Sequence, residues 1–208
     1  MFRSFPRSPQ YHRVFVLGPF LRWGGMFSHW VDLGCGKAEA TKAVHRPETI
    51  QRVSVDIYDG PDKPEGFIRA DIVDYAHSHV LTGCAVTLLD VIEHFEKVDG
   101  TAFLSLLESK ADAVCVFTPS GFYRQDPTTH PETKDRPEQW HRSGWSSEEF
   151  LERGYDVISF PQMHSGFGGF AAVRSKQWRS RPMWRLSLSV LHFRGLIDYY
   201  QRRLHLRK

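Results

Sequence analysis

The 208 residues, 41% of them hydrophobic, suffice for one substantial buried core and leave little room for a second. The net charge of +3 hides an asymmetry: residues 1 to 31 carry four arginines and no acid, residues 174 to 208 carry ten basic residues against Asp198 alone, and the centre is ten charges negative. Cys35, Cys84 and Cys115 are odd in number and scattered, with no CxxC pair and no Cys/His ligand spacing. That pattern speaks against a disulfide framework and a structural zinc, and makes a reducing cytoplasm the simplest compartment.

The N-terminal "RVFVLGPFLRWGG" is interrupted by Pro19 and Arg22 and lacks a small-residue cleavage site, so it does not read as a signal peptide. No stretch approaches membrane-spanning length. From about residue 30 to residue 173, short apolar segments alternate with helix-like stretches, the pattern of a parallel sheet wrapped by helices. The expected strands are "WVDLG", "RVSVDIY", "GFIRADI", "AVTLLDVI", "AVCVFTP", "YDVISF" and "FGGFAAVRS". A helix is expected around "AEATKAVH" after the first strand, and another over "VDGTAFLSLLESK" between the fourth and fifth.

Only "PQMHSG" separates the last two strands, too short for a helical crossover, which predicts a hairpin. The expected fold is therefore α/β, a Rossmann-like, seven-stranded, mostly parallel sheet with a terminal antiparallel hairpin and helices on both faces. Three regions are expected: a basic N-terminal segment over residues 1–29, one domain over 30–175, and a basic amphipathic helical tail over 176–208. The connection from Ser120 to Ser147 is long for a compact domain and marks a candidate functional loop. After it, Ser146 and Glu149 are spaced as a capping box, with Gly154 as a stop.

The sharpest local signal is "VDLGCGKAEAT", a strand that turns through Gly34 and Gly36 into a helix. Glycines at such a turn let a ligand lie against the main chain. Asp56 ends the next strand twenty residues after Gly36, where a carboxylate can accept hydrogen bonds from ribose hydroxyls. A dinucleotide fingerprint needs a third glycine, and Glu39 stands in its place, which disfavours a nicotinamide-dependent oxidoreductase. Asp32, two residues before Gly34, suits instead a ligand with a cationic end, such as the ammonium and sulfonium of S-adenosylmethionine.

By these residues the segment from about 30 to 173 resembles the class I methyltransferases. The resemblance implies a cofactor loop at Asp32, Leu33, Gly34, Cys35 and Gly36, ribose contact at Asp56 and Ile57, and an adenine edge at Asp71 and Ile72. It also matches "LLDVIEHF" to the family's fourth-strand segment, with Asp90 and Val91 after the strand and Glu93 and His94 facing the reaction pocket. The family often has a further glycine where this chain has Ala38. The turn "FTPSGFYRQDP" and the later "GW" element are similar to those of a common bacterial and archaeal subgroup, in which Trp145 either staples a helix or faces substrate. His94, His141 and Tyr123 are the candidate catalytic residues, and His130 and Arg124 further candidates to shape an acceptor pocket; no metal is expected.

The implied activity is methyl transfer from S-adenosylmethionine, leaving S-adenosylhomocysteine, to a small-molecule, glycan or lipid-type acceptor. Alternatives are a non-catalytic cofactor-binding partner and an RNA methyltransferase. The acidic centre makes a poor phosphate channel, so nucleic acid is disfavoured. The basic C-terminal stretch, with apolar residues at helical spacing, is a candidate for peripheral contact with anionic lipid.

Overall fold

The computed structural model describes residues 2–4, 16–37, 41, 44, 46–57, 63–64, 66–164, 167–187 and 189. The strands are β1 (Phe2–Ser4), β2 (His29–Leu33), β3 (Gln51–Asp56), β4 (Phe67–Arg69), β5 (Cys84–Leu89), β6 (Ala113–Pro119), β7 (Asp156–His164) and β8 (Phe167–Ser175). The helices are α1 (Leu17–Trp23), α2 (Ile72–Ser78), α3 (Lys97–Lys110) and α4 (Ser147–Glu152), and residues 181–187 are helical as well.

One sheet in the order β1-β7-β8-β6-β5-β2-β3-β4 joins all the strands. β8 alone runs against its neighbours, antiparallel to both β6 and β7. The seven expected strands and the terminal hairpin are therefore present, and β1 adds an eighth by pairing parallel to β7. The chain winds outwards from β2 to β4 and then restarts at β5 on the other side of β2. The C-terminal ends of β2 and β5 thus flank the point where strand order reverses, the place where open α/β sheets hold ligands.

Side chains alternate between the two faces. Val31, Leu33, Val86, Leu88, Val114 and Val116 point into a core shared with Tyr75 of α2, Phe103, Leu104 and Leu107 of α3, and Phe150 of α4. Trp30, Ala85, Cys115 and Phe117 point the other way, against Leu17, Phe20 and Leu21 of α1 and against Trp184. Burial on both faces explains why "CAVTLL" and "AVCVFTP" read as unbroken apolar runs.

Residues 17–23, in the expected basic N-terminal segment, form a helix whose apolar side is core, and Trp184, in the expected C-terminal tail, is fully buried against the same face of the sheet. Asp156 of β7 fastens that last helical stretch through Arg181, whose Nη2 and Nε donate to its two carboxylate oxygens at 2.9 and 3.1 Å. The helix expected around "AEATKAVH" falls largely outside the described residues, although Thr41 is helical and buried. The same holds for the lipid-facing expectation, which rests mainly on residues 190–208. No described helix is long and apolar enough to cross a membrane.

α2 is absent from the expected elements because "GFIRADI" reads as strand throughout. Strand pairing stops at Arg69, and Asp71 turns the chain, its Oδ1 accepting from Val73 N at 2.8 Å and Asp74 N at 3.2 Å. At the other end of this helix, Lys110 Nζ donates to the carbonyls of Ala76 and His77, which tethers α3 to α2. The capping box at Ser146 and Glu149 forms as the spacing predicted, and Gly154 takes φ 83° after α4.

Candidate active site

A cavity of about 560 Å³ opens at the C-terminal ends of β2, β3, β4 and β5. Gly34, Cys35, Gly36, Asp56, Ile57, Asp71, Ile72, Asp90 and Val91 all line it, so nine of the expected cofactor residues meet in one place. The loop after β2 is held in shape by the tip of β3. Gly34 N and Cys35 N both donate to Val55 O, at 2.8 and 3.2 Å, and Gly36 N donates to Asp56 Oδ2 at 2.6 Å.

Both glycines have left-handed backbones, φ 73° at Gly34 and 51° at Gly36, but their surroundings differ. A Cβ on Gly34 would lie 2.5 Å from Val91 Cγ2, whereas one on Gly36 would meet nothing within 4 Å. Gly34 therefore permits close packing of the loop on the segment after β5, and Gly36 leaves the cavity open beside the main chain. Burial, then the charges of Asp32 and Asp56, push the Cys35 thiol up to about 12.

Asp32 does not line the cavity and neither does Leu33, which lies wholly in the core. The Asp32 carboxylate accepts from Thr87 Oγ1 at 2.8 Å and Thr41 Oγ1 at 3.3 Å, with Arg52 Nη2 at 4.0 Å. Expected to touch the ligand, it instead bolts β2 to β5 and to the helical turn at Thr41. Burial pushes its pKa up to about 6, against the lowering effect of Thr87, Arg52 and Thr41.

Beyond β5 the chain takes φ 54° at Asp90 and turns through a short 3₁₀ segment, Ile92–His94. His94 lines the cavity, but Glu93 points behind it and is only 2% exposed. Thr118 Oγ1 donates to Glu93 Oε2 at 3.0 Å. Burial and the neighbouring Asp90 charge raise the Glu93 pKa well above the carboxylate range, while burial lowers that of His94.

The long loop folds back over this segment. Arg142 N and Ser143 N donate to Glu93 O at 2.8 and 3.1 Å, and Arg142 Nη1 donates to His94 O at 2.8 Å. These bonds bring the His141 ring edge-on to His94, with centroids 4.9 Å apart. Tyr123 does not line the cavity; its carbonyl accepts from His141 Nδ1 at 2.7 Å, and its ring packs among His130, His141 and Phe167. Trp145 is a staple, buried under α3 with Nε1 donating to Ser143 Oγ at 2.9 Å and Lys97 Nζ 3.6 Å from the ring centroid.

Phe95, Glu96, Asp99, Glu138, Gln139 and Arg142 complete the lining and were not singled out from the sequence. Their signal lies in position: three fall within five residues after "VIEH", and three flank His141 in the loop marked by its length. The acids among the lining residues far outnumber Arg142, its one arginine.

An O-methyltransferase family protein from Burkholderia thailandensis superposes with a TM-score of 0.51 over 80% of this chain and 55% of its own, at 14% identity. The fold is that of the class I methyltransferases. The small RNA methyltransferase HEN1 aligns over 81% of this chain and 25% of its own, at 18% identity and a TM-score of 0.48. The plantazolicin methyltransferase BamL, solved with S-adenosylhomocysteine, covers 81% and 85%, at 11% identity and 0.49. This chain thus spans about half of the Burkholderia protein and a quarter of HEN1. The sequence matches no family model and no curated protein.

Proposed function

We propose that the chain binds S-adenosylmethionine in the cavity at the ends of β2 to β5 and transfers its methyl group to a small-molecule, glycan or lipid-type acceptor. The observation that carries this reading is the bond from Gly36 N to Asp56 Oδ2, which sets a glycine loop beside an acid at the point of strand reversal. The open space beside Gly36 fits a ligand laid along the main chain. Asp56 would take the ribose hydroxyls, Asp71 and Ile72 would flank the adenine, and Asp90 and Val91 would border the sulfonium end. The acidic lining suits a cationic ligand and repels phosphate, which supports small acceptors over nucleic acid.

When bound, the cofactor supplies an activated methyl group for in-line displacement. The residues of the chain align the acceptor and exclude water, and the ordered loop bonds lower the entropy cost of that alignment. His94 is the lining residue placed to orient an acceptor hydroxyl, its ring held by Trp140 O at 3.2 Å from Nδ1. The three cysteines are free thiols, in keeping with a reducing compartment such as the cytoplasm.

Calorimetric titration with S-adenosylhomocysteine tests the binding step, and transfer of a labelled methyl group to an extract tests turnover. Saturable binding at one site per chain is expected. Binding without consumption of the methyl donor across a broad acceptor panel would identify a non-catalytic cofactor-binding partner instead.

A further inference from the structure

Glu93, His94 and His141 each offer one ligand atom, and these atoms lie within 4.8 Å of one another. We infer that the three form a site for one divalent cation of the zinc or manganese type, at the edge of the cavity beside His94. The sequence gives no hint of it, because His94 and His141 are 47 positions apart and meet only when the long loop folds onto the 3₁₀ segment.

Two observations point independently to a cation. The first is the orientation of the histidines. His94 Nδ1 faces Trp140 O at 3.2 Å and His141 Nδ1 faces Tyr123 O at 2.7 Å. A carbonyl only accepts, so each Nδ1 carries the hydrogen and each Nε2 is the basic nitrogen. Backbone carbonyls fix imidazoles in this way in metal centres, where they set the tautomer and aim the ligating nitrogen.

The second is Glu93. Its Oε2 accepts from Thr118, but its Oε1 is fully enclosed and has no hydrogen-bond partner among the described residues. A carboxylate oxygen buried without a partner is costly, and a coordinated cation removes that cost. Asp90 adds a second negative charge that acts on both Glu93 and His94.

Two imidazoles and one carboxylate suit zinc, manganese or ferrous iron better than calcium or magnesium. Ligand atoms around such an ion sit about 3 to 3.5 Å apart, so small side-chain rotations close the site. Three protein ligands leave coordination positions open, and of the three His94 is the one that lines the cavity. A role for the cation at the methyl acceptor rests on the methyltransferase reading; the cation site itself does not. In that role the cation selects oxygen acceptors: it lowers the pKa of a hydroxyl, whose proton passes to water, the oxygen forms the new C–O bond, and the electrons of the broken C–S bond stay on sulfur.

The test uses the full chain, stripped with chelator and titrated calorimetrically with Zn²⁺, Mn²⁺ and Mg²⁺, with S-adenosylhomocysteine titrated in parallel. One Zn²⁺ or Mn²⁺ per chain is expected, with Mg²⁺ at least tenfold weaker. Glu93→Gln and His141→Gln should each weaken uptake at least tenfold and change S-adenosylhomocysteine affinity less than threefold. Thermal melting checks their folding, and His141→Gln, on the loop, carries the test if Glu93→Gln does not fold. Water-proton relaxation of the Mn²⁺ form should show exchangeable bound water; its absence overturns the acceptor role. No saturable uptake of any of the three ions, or uptake unchanged in the folded variants, overturns the site. If the ion binds and S-adenosylhomocysteine does not, the site stands and the methyltransferase reading falls.

Discussion

Gly36 and Asp56 are joined by a 2.6 Å hydrogen bond from the glycine N–H to carboxylate Oδ2, so the loop after β2 and the tip of β3 form one unit. Asp56 therefore has two tasks, shaping the loop and presenting an acceptor to a ligand. Replacing it with Ala removes both. Hydrogen bonds to a charged group contribute about 1.5 to 3 kcal/mol each, so S-adenosylhomocysteine affinity should fall roughly 10- to 100-fold in calorimetry. Unchanged affinity would remove Asp56 from the site.

The two loop glycines should respond differently to substitution. Gly34→Ala puts a methyl group 2.5 Å from Val91 Cγ2 on a left-handed backbone, and should lower stability by about 2 to 4 kcal/mol in denaturant unfolding. Gly36→Ala meets no neighbour and should cost only about 1 kcal/mol. Its methyl group enters the cavity lining, so the larger loss should appear in ligand affinity. Equal stability losses for the pair would contradict this division.

Asp32 predicts a pH dependence of stability. Its pKa rises from 3.8 towards about 6 on folding, so the native state holds the proton more tightly than the unfolded chain. The associated stabilisation is complete below pH 3.8 and is lost as pH climbs through about 6, about 3 kcal/mol in all. Asp32→Asn should abolish this dependence. The stability of the variant relative to the parent should rise between pH 4 and pH 6 and then level off, and a flat difference across that window would refute the assignment.

Trp184 tests the boundary of the folded unit. Its side chain is fully buried against the face of the sheet that carries α1, so Trp184→Ala should cost about 3 to 5 kcal/mol and lower the melting temperature by roughly 10 °C. A change of less than 2 °C would mean that this stretch is an appendage.

Burial explains what could be read from the sequence and what could not. β5 and β6 are covered on both faces, and their apolar runs stand out; Gly34 and Gly36 stand out because a left-handed turn restricts residue type. For Asp32, position in a motif does not say which way a strand residue points, and at this register it faces Thr87. β1 went unnoticed because three residues carry no alternation. Tyr123 and His141 were chosen for their chemistry, yet Tyr123 acts through its carbonyl and His141 depends on a loop closure that local spacing does not encode.

The three-residue strand β1 bears on self-association in concentrated solution, because it occupies part of the outer side of β7. With it in place, residues 157–159 of β7 are paired on their outer side, and the opposite rim, β4, is only three residues long. Without it, the whole nine-residue β7 would form one uninterrupted rim, long enough to template strand exchange and self-association.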